Sequence, residues 1–189
     1  MTLAQQGPAV NDQTLPDDAA IAAALGIEDF RVGRQNLRDE QRWRVGRLWI
    51  DSLWMLSIRP SFDAWGMVGV ATAHGQEFRG QTVEGWTKAV LASGTSLIVQ
   101  PVNADPLSTL LSSLPLLRHS QSVWLDGIDY SLRLESLAIR GTIDFANPTF
   151  PELIETERTC WRLAQELARN SAKPELVEFA NGWERYLDR

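Results

Sequence analysis

The stretch RWRVGRLWIDSLWMLSIRP, residues 42–60, carries three tryptophans and three arginines in its first thirteen positions. Either it is a surface made to stack on something flat and anionic, or it is core sequence edged with charge. An exposed indole stacked on a nucleobase contributes about 1–3 kcal/mol. A buried one removes about 150–250 Å² from water, worth roughly 4–6 kcal/mol at about 25 cal/mol per Å². Folding therefore gains more by hiding these rings than a site gains by showing them. Trp54, set among Leu53, Met55 and Leu56, belongs to a core. Trp43, between Arg42 and Arg44, is the ring expected to stay half exposed with arginine packed over it. The expectation is a mainly buried segment with an arginine edge, whose binding residues are Arg42, Trp43, Arg44, Arg47 and Trp49.

Trp43, Val45 and Trp49 share one parity, and Leu48 and Ile50 the other. Trp, Val and Ile favour strands and Gly46 weakens a helix, so strands are predicted at about 42–50 and 53–59. A helix starting at Asn36 is the alternative, stacking Arg31, Arg34, Arg38 and Arg42 on one stripe.

Outward from this stretch, residues 1–13 read as a flexible N-terminal tail and residues 14–189 as one domain. A helix over 14–27 is signalled by Thr14 as cap, Pro16 near the first turn, Asp17 and Asp18 at its positive end and Gly26 as stop. Residues 64–74 predict a strand, 82–94 a helix burying Val83, Trp86 and Val90, and 96–102 a short strand. A leucine-lined helix is expected over 104–117, opened by Asp105 and Pro106. Ile128, Tyr130, Leu132 and Leu134 alternate with polar residues, as do Ile139, Ile143 and Phe145. Pairing Leu134 with Ile139 across a four-residue loop, and Tyr130 with Ile143, gives a hairpin. TFPE at 149–152 fits a capping box for a long helix striped by Cys160, Trp161, Ala164 and Leu167. A second helix follows Pro174, with Leu176, Ala180, Trp183 and Leu187 inward. The sum is an α+β fold: a single domain, mainly antiparallel sheet packed by four to five helices, two of them C-terminal.

Net charge is −6 over 189 residues, but residues 31–60 hold seven arginines against three acids. An acidic chain with one basic segment fits a protein partner better than nucleic acid, which the rest of the chain repels. No apolar run is long enough to cross a membrane. Residues 1–30 hold no Lys or Arg, so the basic start of a secretory signal is missing and a cytoplasmic location is expected.

The lone Cys160 lies on an apolar stripe, and a buried thiol is the expected role rather than a nucleophile. His74 and His119 lack metal-ligand spacing, so no metal and no cofactor is expected. His74 and Glu77, with Asp126 or Asp129 of the DGID turn, are the candidates for an acid–base site. The first-ranked reading is a non-enzymatic interaction protein using an acidic helical surface and the Arg/Trp edge. An enzyme built on His74 comes second, and an anionic-ligand or nucleic-acid surface over residues 31–59 third. In size, acidity and mixed architecture the chain is similar to small bacterial accessory proteins, immunity proteins among them, on no specific motif. A homodimer would show as exposed apolar area around Trp43 and Trp183.

Overall fold

The computed structural model describes residues 14–38, 44–109 and 127–187. Its frame is an antiparallel sheet built around one long strand. Strands β1 (Gly33–Arg38), β2 (Arg44–Pro60), β3 (Gly66–Phe78), β4 (Gln81–Thr82), β5 (Trp86–Ser93), β6 (Ser96–Pro101), β7 (Ile128–Ser136) and β8 (Arg140–Ala146) lie between helix α1 (Asp18–Leu25) and helices α2 (Pro151–Ser171) and α3 (Pro174–Glu184). The main order is β6-β5-β3-β2-β7-β8, with β1 paired to β2 and β4 to β3.

The opening stretch is thus one 17-residue strand rather than two. Its neighbours explain the merger. β3 pairs along one edge of β2, while the other edge is shared in succession by β1 and β7. Against β3 the register shifts once, between Ile50 and Ser52, which leaves Asp51 as a bulge; against β1 it shifts between Leu37 and Arg38. Trp54, Leu56 and Ile58 face α2 and α3, while Leu48, Ile50, Leu53 and Met55 face α1. Residues 53–56 are buried on both faces, so the clean alternation of a half-wet strand is lost there. The helix alternative from Asn36 is overturned, because residues 33–38 form β1.

Four to five helices were expected, and three are found among the described residues. The correction falls at 82–94, where β4 and β5 replace the predicted helix. Val90 and Ala92 pack toward α1 while Ala89 and Leu91 pack toward α2 and α3. A short run apolar on both faces reads the same in a buried helix and a buried strand. The tie is broken by the two-residue turn at Gly94 (φ 55°), which returns the chain as β6. Of the predicted helix at 104–117, residues 104–109 are described and form no helix, with 106–109 a turn, and residues 110–117 lie outside the described residues.

The β7–β8 hairpin also differs from expectation. Tyr130 pairs with Phe145, Leu132 with Ile143 and Leu134 with Gly141, a register two residues away from the one predicted. The turn is the two-residue Leu137–Ala138, closed by the Ser136 amide donating to the Ile139 carbonyl. An even shift keeps every side chain on its face, so the alternation pattern alone does not separate the two registers.

At the ends, α1 is capped by Asp17 rather than Thr14, accepting from the Ala20 amide at 2.8 Å. The helix is docked, with Ile21, Ala22 and Leu25 buried, and Lys88 of β5 donates to the Leu25 carbonyl. The predicted capping box at 149–152 is not made. Phe150 is the N-cap of α2, and Pro151 at the first position has no amide to satisfy. Trp183 is fully buried and so marks no exposed face.

Candidate functional site

The apolar layer under α2 and α3 includes Trp54 of β2 and Val70 of β3, but no described residue of 44–52 or 72–78. Past that limit the same sheet face carries polar and aromatic side chains instead. Cross-strand partners share a face, so the register aligns them in rows. Arg34, Trp49 and His74 stand side by side on β1, β2 and β3. Two residues further along, Asn36, Arg47 and Gln76 form the next row. On the other side of the first row lie Asp51, Ser52, Thr72 and Thr87.

Trp49 is half-buried, Arg34 is exposed, and Arg34 has no ion-pair partner among the described residues. Asn36 donates to Glu28 at 3.0 Å, and Thr72 and Thr87 meet at 3.5 Å. The bulge turns Asp51 toward His74, whose Nδ1 lies 2.8 and 2.9 Å from the two carboxylate oxygens. A carboxylate only accepts, so Nδ1 carries the proton of this bond and a neutral ring presents its lone pair at Nε2. The pair is well exposed, and in water such a contact is worth about 0–1 kcal/mol. Its consequence is orientation rather than stability.

The other expected site residues are scattered. Glu77 follows His74 by three positions and so points to the opposite face; it is exposed on β3. Asp129 faces Arg59 across β7 and β2, ten β2 residues from the Trp49–His74 pair, or about 33 Å. His74 therefore gains a carboxylate partner, but it is Asp51, not Glu77 or Asp129. Asp126, Arg42, Trp43 and His119 lie outside the described residues, as does the Arg44 side chain, although Arg44 begins β2. Of the expected binding set, Arg47 and Trp49 fall on the same face. Arg34, Asn36 and Asp51 were missed, because strand pairing over 11 to 25 positions brings them there and no local signal announces it.

The expected acidic helical surface narrows to α3. That helix exposes Glu175, Glu178 and Glu184 with no basic residue, whereas α2 balances Glu152, Glu155 and Glu166 with Arg158, Arg162 and Arg169. Cys160 is fully buried. Loss of hydration, then the charges of Asp105 and Glu157, push its thiol well above its ordinary range, away from the thiolate form. At the far end of the sheet a cleft of about 540 Å³ is bordered by Phe62, Ile154, Glu157, Arg158 and Tyr186. There the Tyr130 hydroxyl donates to buried Glu157 and accepts from Trp183 Nε1 at 2.8 Å. No described helix is long and apolar enough to cross a membrane, and no group of three or more metal-ligating side chains occurs among the described residues.

Comparison with protein families, curated proteins and solved structures returns no match for this chain.

Proposed function

We propose that this protein is a non-enzymatic interaction module of the cytoplasm that docks another protein on the two-row sheet face. One observation carries the reading: three strands align Arg34–Trp49–His74 and Asn36–Arg47–Gln76 beyond the limit of the apolar layer. Arginine and tryptophan are the residues that most often dominate protein interfaces, since one brings a planar fork and the other a large rigid surface. The chemistry suits a partner presenting carboxylates beside an exposed apolar side chain. The acidic face of α3 extends the same reading to a basic partner surface through long-range attraction.

The test is copurification of the full chain from its native host, followed by the affinity of the recovered partner for Trp49→Ala and Arg34→Glu. Each variant is expected to weaken binding about 30-fold or more, the effect of losing about 2 kcal/mol at an interface centre. Melting temperature serves as the control for folding. Unchanged partner binding by both variants would sink the proposal. Nucleic acid is the competing occupant of the arginines, and random-sequence DNA is expected not to bind even at low salt, where attraction is strongest.

A second reading, an acid–base enzyme, is favoured by the Asp51–His74 contact alone. It requires any turnover to vanish in His74→Gln, and turnover surviving there removes it.

A further inference from the structure

β8 ends the sheet, and no described strand pairs with its outer edge. The Ser136 amide bonds the Ile139 carbonyl and the Asn147 amide bonds the Ile128 carbonyl. Antiparallel pairing alternates from these two ends, so residues 139, 141, 143, 145 and 147 bond inward to β7. The amides and carbonyls of Arg140, Thr142, Asp144 and Ala146 therefore point away from the sheet. None has a partner among the described residues. The strand has no lysine, no proline and no irregularity of register, the usual devices that protect an edge. Beside it, Leu137 and Ile139 are large apolar side chains exposed at 72% and 40%.

We propose that this edge pairs with the same edge of a second copy of the chain, antiparallel, with Thr142 facing Thr142 of the partner subunit on the two-fold axis. Charge selects that register. Arg140 and Asp144 are the only charged residues of β8, and both are exposed on one face. Centring the pair on Thr142 sets Arg140 opposite Asp144 of the partner subunit, twice. Centring it on Arg140 or Asp144 would set like charges opposite each other, which is unfavourable. Asp144 has no ion-pair partner of its own among the described residues, while Arg140 Nε lies 3.2 Å from buried Glu135. On the other face the same register brings Ile139 beside Phe145 of the partner subunit. It also lays Ile143 of the partner subunit over Gly141, where the position of a Cβ has nothing within 4 Å. Thr142, Arg140 and Asp144 would then exchange their outward amides and carbonyls as in any antiparallel ladder, and the interface is isologous. It does not depend on the two-row face, which lies on other strands.

The experiment measures the mass of the full-length protein in solution over a range of concentrations. A dimer of twice 21.2 kDa is expected. Thr142→Pro deletes an amide that β7 does not use, so it should keep the circular dichroism of the wild type and yield a monomer. Asp144→Lys should raise the dimer dissociation constant about tenfold or more by facing cation with cation. Thr142→Cys reports the register directly. Hydrogen-bonded antiparallel partners have Cα atoms about 5.5 Å apart, within disulfide reach, and the native Cys160 is buried. Mild oxidation of this variant should therefore give a covalent dimer. A monomeric wild type would overturn the proposal and leave the edge to a strand of another protein. A dimer that survives Thr142→Pro, or a Thr142→Cys variant that does not cross-link, would overturn it equally.

Discussion

Removing one hydroxyl tests how the two C-terminal helices are held to the sheet. Tyr130 of β7, Glu157 of α2 and Trp183 of α3 are all buried, at 2%, 3% and 0% exposure. The Tyr130 oxygen accepts from Trp183 and donates to Glu157, so one atom ties three elements together. Tyr130→Phe keeps the ring and its neighbours, Phe145 at 4.9 Å and Trp183 at 6.2 Å. What it deletes is the oxygen. The Trp183 N–H then stays buried without an acceptor, costing about 1–3 kcal/mol, and the carboxylate loses a charge-assisted bond worth about 1.5–3 kcal/mol. The expected loss is roughly 3–5 kcal/mol, a large share of the 5–15 kcal/mol typical of a domain. At about 2–4 °C per kcal/mol for a chain of this size, the melting temperature should drop by roughly 6–20 °C. Urea unfolding followed by tryptophan fluorescence measures it. Adding Glu157→Leu to Tyr130→Phe should cost less than the sum of the two single changes, because the carboxylate left short of a donor is gone. A Tyr130→Phe loss below about 1 kcal/mol, or strict additivity, would refute the reasoning.

Gly75→Ala should destabilise by about 1–3 kcal/mol or more, since its Cβ would fall 1.4 Å from the Val83 backbone oxygen. Gly182→Ala in α3 should instead stabilise by about 0.5–1 kcal/mol, because the nearest atoms to its Cβ, those of Asp63, lie at an ordinary 3.5 Å. Equal thermal midpoints for the two would contradict both. Cys160 should react with a thiol reagent only as fast as the protein unfolds, and rapid stoichiometric labelling of the native state would disprove its burial. Tyr186 is raised above 10.0 by desolvation, then by its hydrogen bond to Asp63 and that carboxylate's charge, against smaller opposing effects of the Phe62 backbone and Arg185. The folded state thus favours the neutral phenol. Its contribution is complete below pH 10 and declines as pH rises from there through the folded value. Tyr186→Phe should accordingly lose stability less steeply than the wild type above pH 10, and parallel alkaline profiles would speak against the assignment.

By itself the sequence determined the elements whose pattern is local. The α2 stripe of Cys160, Ala164 and Leu167, the stop and restart at Pro174, and the strand character of residues 128–145 all follow from a period of 3.6 or 2 held over many residues. The burial of Trp54 followed from the area of its ring. Tertiary structure decided the rest. Residues 89–93 are buried on both faces, so no periodicity separates strand from helix until β3 and β6 flank them. The β7–β8 register is decided by its two-residue turn, since both pairings keep the same faces. The candidate face is still less local. Arg34, Trp49 and His74 stand in one row because three strands align, and Asp51 reaches His74 because a bulge adds one residue to β2. Those partners are 15, 25 and 23 positions apart. Only the hydrogen-bond ladder, which the whole sheet fixes together, can bring side chains so distant in sequence onto one surface.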